Sequence, residues 1–392
     1  MRAYLDHAAT SPMPDAVRDA YFEALTTVGN PASQHAHGQQ ARDVLESARE
    51  KIAASLRVTP AEVVFTSGGT EAINLAIKGL FWARRKPVIL TAAGEHHATL
   101  DTLEWLEKTQ GAEVHTLPLR EDGVLEPETL RRAISDHGAE NIALATVLWV
   151  NNEIGTVQPI SELSRICDDH GIPLHVDAVA ALGQLDLAAA QPRPAAMSLS
   201  AHKVGGPVSS GALVLRRDTT PEPLIHGGSQ QRVRSGTQDA AAAVAFATAV
   251  ELTQPTPERL AQIAGLRDRL IAGVRKIDPT AVLRGPDPAD ETVLGSLRAV
   301  GNAHFTFPGC QGDSLLFMLD MAGVSVSTGS ACTAGVTEVS HVMLALGLPE
   351  EVAAGALRFT VSAATSDAEI DALLEALPGA LTAARKAGFT TA

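Results

Sequence analysis

Between residues 63 and 200, short apolar runs alternate with longer stretches in which polar and apolar positions interleave. The runs at 63–66, 87–91, 113–117, 142–150, 172–177 and 195–199 read as buried strands. A helix from Glu71 follows the first run, and 98–109, 126–135 and 160–170 read as helices between the others. Strands without a polar face, alternating with helices, predict a mostly parallel sheet covered on both sides. Ahead of this region, the apolar stretch 4–10 breaks at Ser11-Pro12, and a helix follows from about Pro14. Gly29-Asn30-Pro31 is a turn, 41–56 a charged helix, and the alanine-rich 239–252 a helix that closes the large unit.

Pro255, Pro257 and the loop 286–290 mark a change to a smaller α+β unit. Its expected helices are 258–277, 312–321 and 367–384, and its expected strands 303–307, 324–327 and 356–361. The expected division is therefore a large α/β domain at 16–254 and a small domain at 255–392. Residues 1–15 are expected to pack with the small one.

The 392 residues are 45% hydrophobic and 19% charged, the balance of a globular enzyme. A formal charge of −14 argues against general nucleic-acid binding, which needs basic residues on phosphates. No run approaches a membrane span, and the first ten residues show no secretory pattern. Cys167, Cys310 and Cys332 make an odd set without a CxxC, which speaks against a disulfide framework or a zinc site. A reducing, cytoplasmic setting is expected.

Chemistry concentrates where strands end. The run 172–177 ends on Asp177, and 195–199 leads into Ser200-Ala201-His202-Lys203, followed by Gly205-Gly206-Pro207. Singly, Asp177 reads as a helix cap and Lys203 as a surface residue. Together they place an acid and an amine at one sheet edge, where open α/β folds bind ligands. An aspartate for a pyridinium nitrogen and a lysine for a Schiff base are the protein groups that pyridoxal phosphate needs. The turn Ser67-Gly68-Gly69-Thr70, between a strand and a helix, suits a phosphate. It is not a P-loop, since no Gly-Lys-Ser/Thr follows. Glu95-His96-His97 and 149–153 end two further strands at that edge. The run 327–335, all small residues around Cys332, cannot build a core about its thiol, so an exposed nucleophile is expected.

These segments together resemble the cysteine desulfurases, pyridoxal-phosphate enzymes of fold type I in the class-V aminotransferase group. The likeness runs nearly end to end, through YLDHAAT, GNPAS, TSGGTEAINLAIKG, EHHA, NNEIG, HVDA, SAHKVGGP, RSGT, GSACT and LRF. It implies a homodimer and the conversion of L-cysteine to L-alanine, with the sulfur left as a persulfide on Cys332. That sulfur would pass to an acceptor protein for iron–sulfur cluster assembly or tRNA thiolation. By the same resemblance, Lys203 holds the cofactor, Asp177 meets the ring nitrogen, His96 stacks on the ring and Asn152 meets the phenolic oxygen. Gly69, Thr70, Ser200 and His202 hold the phosphate, with Thr237 arriving from the second subunit. Arg358 and Asn30 hold the substrate carboxylate. No resident metal is implied, although Cys332 could transiently ligate an iron–sulfur cluster.

The chain departs from the pattern at Ala180, where the family carries a glutamine that donates to the phenolic oxygen, and at Ala201, usually glycine. It also closes soon after Arg358, so a weakened contact with an iron–sulfur scaffold is expected. A selenocysteine lyase of the same fold, which would not strictly need Cys332, and a non-catalytic scaffold subunit are the competing readings.

Overall fold

The computed structural model describes residues 2–290, 297–329 and 339–388. Seven strands form its main sheet. Their order is Val63–Thr66, Gly211–Leu215, Ala196–Ser200, Leu174–Asp177, Ile142–Leu148, Val88–Ala92 and Glu113–Leu117. Gly211–Leu215 is antiparallel to both neighbours, and all the other pairings are parallel. Every residue of Val88–Ala92, Ile142–Leu148 and Ala196–Ser200 is buried, which is why these strands read as unbroken apolar runs. Glu113–Leu117 mixes exposed and buried positions because it is an edge strand.

Gly211–Leu215 is absent from the sequence pattern. It is as long as the strands that stand out, but no α-helix separates it from Ala196–Ser200, so it falls outside the strand–helix alternation. Helix Ala36–Leu56 starts earlier than the periodicity suggests, because the His35 imidazole caps it by accepting from the Gly38 amide at 3.2 Å. The alanine-rich helix Ala240–Leu252 lies against Ala36–Leu56 and Asp15–Ala24. Asp239 caps it through the Ala242 amide.

A second apolar core gathers Phe305, Phe307, Phe359 and Leu373. It lies between the antiparallel strands Val282–Leu283, Asn302–Thr306 and Ala356–Thr360 and the helices Pro257–Ile277, Gly312–Met321 and Asp367–Gly388. Ala3–Tyr4 runs parallel to Val324–Ser325, and Leu5 is buried in this same core. The strand expected at 324–327 stops at Ser325. Ser327 instead makes an isolated bridge with Arg358. The short helices His341–Ala345 and Glu350–Ala353 fall below what periodicity can reveal. No helix among the described residues is long and apolar enough to cross a membrane.

The parallel strands end together. Leu148 faces Asp177 in register, and Asp177 faces Ser198, so Leu148, Asp177 and Ser200 lie along one edge. One rung below, the buried His175 ring joins Thr146 Oγ1 and Ser198 Oγ, each at 2.8 Å, and ties three strands together. Burial pushes its pKa down to about 3, so it stays a neutral crosslink.

Candidate active site

Asp177 is the last residue of its strand, and its carboxylate is buried. Oδ1 accepts from the Val179 amide at 3.0 Å. Burial raises its pKa to about 6, against the opposing pull of that amide and of Lys203. Lys203 stands in the single helical turn Ala201–Val204, and Nζ donates to the carbonyls of Ala8 and Ala9 at 2.7 and 2.9 Å. Burial, then the nearby Arg358, lower its pKa to about 8. Gly205 ends the turn at φ 82°, where a Cβ would lie 2.7 Å from Pro14 Cδ, so this position needs glycine.

The raised pKa of Asp177 has a direction in stability. The unfolded carboxyl ionises near 3.8 and the folded one near 6. Its contribution is therefore full below pH 4 and lost as pH rises to 6, a cost of about 3 kcal/mol for a fully buried group. In apoprotein, Asp177→Asn should gain stability over the parent between pH 4 and 6, with a constant gain above 6. Thermal melts across that range check it. A pH-independent difference would show that the carboxylate is not desolvated.

Helix Gly69–Arg84 begins without a side-chain cap at Gly68, which leaves first-turn amides free for an anion. Gly69 packs so closely that a Cβ would meet Val179 Cγ2 at 2.8 Å and Ser200 Cβ at 3.4 Å. Ser200 is buried beside this helix end, while Thr70 is exposed on its first turn. His202 Nδ1 lies 3.3 Å from Thr10 Oγ1, and burial, then Lys203, bring its pKa to about 4. An uncapped helix end, a buried carboxylate short of donors and a partly desolvated amine fit the phosphate, ring nitrogen and aldehyde of pyridoxal phosphate.

His96 caps helix His97–Gln110, its Nδ1 accepting from the Ala98 amide at 3.0 Å. Its outer side is exposed, yet burial of the rest, with Lys203 next, lowers its pKa to about 4. With Nδ1 accepting on a neutral ring, the proton is assigned to Nε2. Asn152 is half-buried, and its backbone carbonyl accepts from Arg358 Nη1 at 2.7 Å. The buried Arg358 also donates from Nη2 to Asp6 at 2.8 Å, while its Nε has no partner among the described residues.

The structure does not bring two of the expected residues to this group. Asn30 is exposed, and its Oδ1 accepts from Ala32 N in a local turn. Thr237 is exposed in a loop held to its own helix by the Arg234–Glu71 ion pair, where it lines a small cavity with Thr66 and Ser67. Cys332 lies outside the described residues.

Three participants were not legible as such in the sequence. Asp6 meets Arg358 from the far end of the chain. The buried Glu95 carboxyl accepts from Leu148 N at 2.9 Å, and burial, with Asp177 nearby, raises its pKa well above normal. Glu153, also buried, accepts from Ser340 Oγ, and a Cβ at Gly329 would come within 3.0 Å of its carboxylate. One acid thus touches both stems of the segment that carries Cys332.

The family described as Aminotransferase class-V matches residues 3–373. An IscS-like cysteine desulfurase of Mycobacterium tuberculosis is 46% identical over 100% of this chain and 99% of its own length. A cysteine desulfurase IscS of Clostridium botulinum is 38% identical over 96% and 94%. Among solved structures, a NifS-like protein superposes with a TM-score of 0.87 at 31% identity, over 97% of this chain and 100% of its own. Another, described as SspA in complex with cysteine, does so with a TM-score of 0.77 at 31% identity, over 93% and 100%.

Proposed function

The chain belongs to the class-V aminotransferases, among the cysteine desulfurases, and from that premise we propose that Lys203, Asp177, His96, Arg358 and Cys332 turn L-cysteine into L-alanine. The enzyme depends on pyridoxal phosphate, which when bound supplies an electron sink for breaking bonds at the substrate's Cα. In the net reaction the substrate Cβ–S bond breaks, an S–S bond forms on Cys332, and protons return to the carbon skeleton of alanine.

The observation that carries this reading is the pairing of Lys203 with Asp177 at the ends of neighbouring strands, each shifted toward its neutral form. Asp177, held by Val179, orients the ring and balances a protonated nitrogen. Lys203, with a pKa of about 8, both carries and gives up a proton near neutral pH. His96 presents Nε2–H at the open side, and the amides from Gly69 onward, with Ser200 and His202, hold the phosphate. Incubating holoenzyme with L-cysteine should yield equal amounts of alanine and Cys332 persulfide before reductant is added. Alanine without persulfide would overturn the assignment.

Arg358 receives the substrate carboxylate through its unpartnered Nε and the Nη2 that Asp6 now holds. Losing a charged hydrogen bond costs about 1.5–3 kcal/mol, so Arg358→Gln should raise KM for cysteine roughly ten- to hundredfold. The cofactor absorbance should remain. An unchanged KM would place the carboxylate elsewhere.

A homodimer is supported by exposed apolar side chains at Phe22, Leu25 and Val28, and by Thr237, which is free to meet a neighbour's phosphate. The working division is a large cofactor domain at 16–254 and a small domain at 255–392, with residues 3–6 paired to the latter and the carbonyls of Ala8 and Ala9, with Ser11 and Pro14, against the lysine turn of the former. An acceptor protein takes the sulfur, and a reducing cytoplasm suits the free thiols Cys167 and Cys310.

A further inference from the structure

Behind the catalytic edge, a cavity of about 310 Å³ runs from Ala180, Asn152 and Lys203 to Arg259. Leu252 and Ile263 supply apolar wall, and the small side chain of Ala180 leaves the near end open. Arg259 is half-buried, and its Nε is fully buried with no acceptor among the described residues. Arg84 and Arg358 also carry a buried Nε without an acceptor among the described residues, but the desolvated arginines other than Arg259 still donate from another nitrogen, Arg84 to Gly171 O. Arg49 donates to Val63 O and Gln238, Arg298 to Pro286 O and Asn302, and Arg358 to Asp6 and Asn152 O. Burial lowers the pKa of Arg259, and no neighbouring acid acts against it. A guanidinium taken partly out of water without a counter-charge is costly, and a bound anion removes that cost. The volume lies at the lower end of small-molecule pockets, and its walls are mostly apolar.

We propose that this cavity binds a small carboxylate with an apolar body, the carboxylate on Arg259 and the body against Leu252 and Ile263. The site adjoins the cofactor edge through Asn152 and Lys203 but is separate from the substrate cation Arg358. A ligand there would be felt at the cofactor without competing for the amino-acid carboxylate. The reading does not rest on the desulfurase assignment, because its test reads binding rather than turnover.

The experiment is calorimetric titration of holoenzyme with benzoate, beside neutral benzamide and inorganic sulfate. The expected result is saturable binding of one benzoate per chain, with no binding of benzamide. Binding should weaken at least tenfold in Arg259→Gln, survive in Arg358→Gln, and be partly kept in Arg259→Lys, which retains the charge if the glutamine variant folds poorly. Benzoate should also shift the cofactor absorbance in the parent. Absent binding, binding unchanged in Arg259→Gln, or binding lost only in Arg358→Gln overturns the site. Sulfate binding as tightly as benzoate overturns the apolar part of the ligand class.

Discussion

Lys203→Ala should lose alanine production by roughly 10²–10⁴-fold or more, the range expected when a positioned proton carrier is removed. Among the described residues no other amine is placed to substitute. Lys51 pairs with Glu251, Lys78 lies over the Trp105 ring, Lys86 binds the Ala139 carbonyl and Lys108 pairs with Glu104. Lys276 and Lys386 belong to helices of the second core. The Nζ of Lys203, by contrast, is aimed between the Ala8 and Ala9 carbonyls beside Asp177, in a turn that Gly205 and Pro14 fix. Lys203→Arg keeps a positive charge but does not give up a proton near neutral pH, so it should fail to a similar degree. Small exogenous amines should restore part of the alanine variant's rate and none of the arginine variant's, since only the former leaves room for them. Alanine release within tenfold of the parent in Lys203→Ala would remove the residue from its role.

Why Lys203 and Asp177 were legible from sequence, and Asp6 and Glu153 were not, follows from how each reaches the site. Asp177 and Lys203 each follow a buried strand directly, and uniform burial makes such strands visible as apolar runs. A parallel sheet then brings their ends to one edge without further information. Asp6 reaches Arg358 only because Ala3–Tyr4 pairs with Val324–Ser325 and Thr360 bridges Asp6, contacts across almost the whole chain. Glu153 meets Ser340 in the same way. No local period announces such pairings, and a buried acid in NNEIG reads as one more polar residue in a turn. Gly211–Leu215 escaped for the opposite reason. Its role is local, but it follows Ala196–Ser200 without an intervening α-helix, so the strand–helix alternation does not announce it.

The same long-range contacts bear on Cys332. Cys332→Ser should release no sulfide under reductant and carry no persulfide, although L-cysteine should still perturb the cofactor absorbance through Lys203, Asp177 and Arg358. The other two thiols are poor substitutes. Cys167 is fully buried in helix Ile160–Asp169, and burial, with Asp168 adding to it, pushes its pKa up to about 12. At pH 7 its thiolate fraction is on the order of 10⁻⁵, and the thiolate is the attacking form. Cys310 is buried in the second core, and burial again raises its pKa. Neither can reach a substrate held at Arg358 without opening a core. The stems around Cys332, in contrast, rest on Glu153 through Gly329 and Ser340, and Glu153 follows Asn152, whose carbonyl binds Arg358. Gly329 and Ser340, which flank that segment, are therefore linked through Glu153 and Asn152 to Arg358, the proposed carboxylate site. Peptide mass spectrometry after cysteine treatment decides the matter. An added sulfur on the Cys167 or Cys310 peptide of Cys332→Ser, with sulfide release retained, would move the nucleophile and break the link between Glu153 and sulfur transfer.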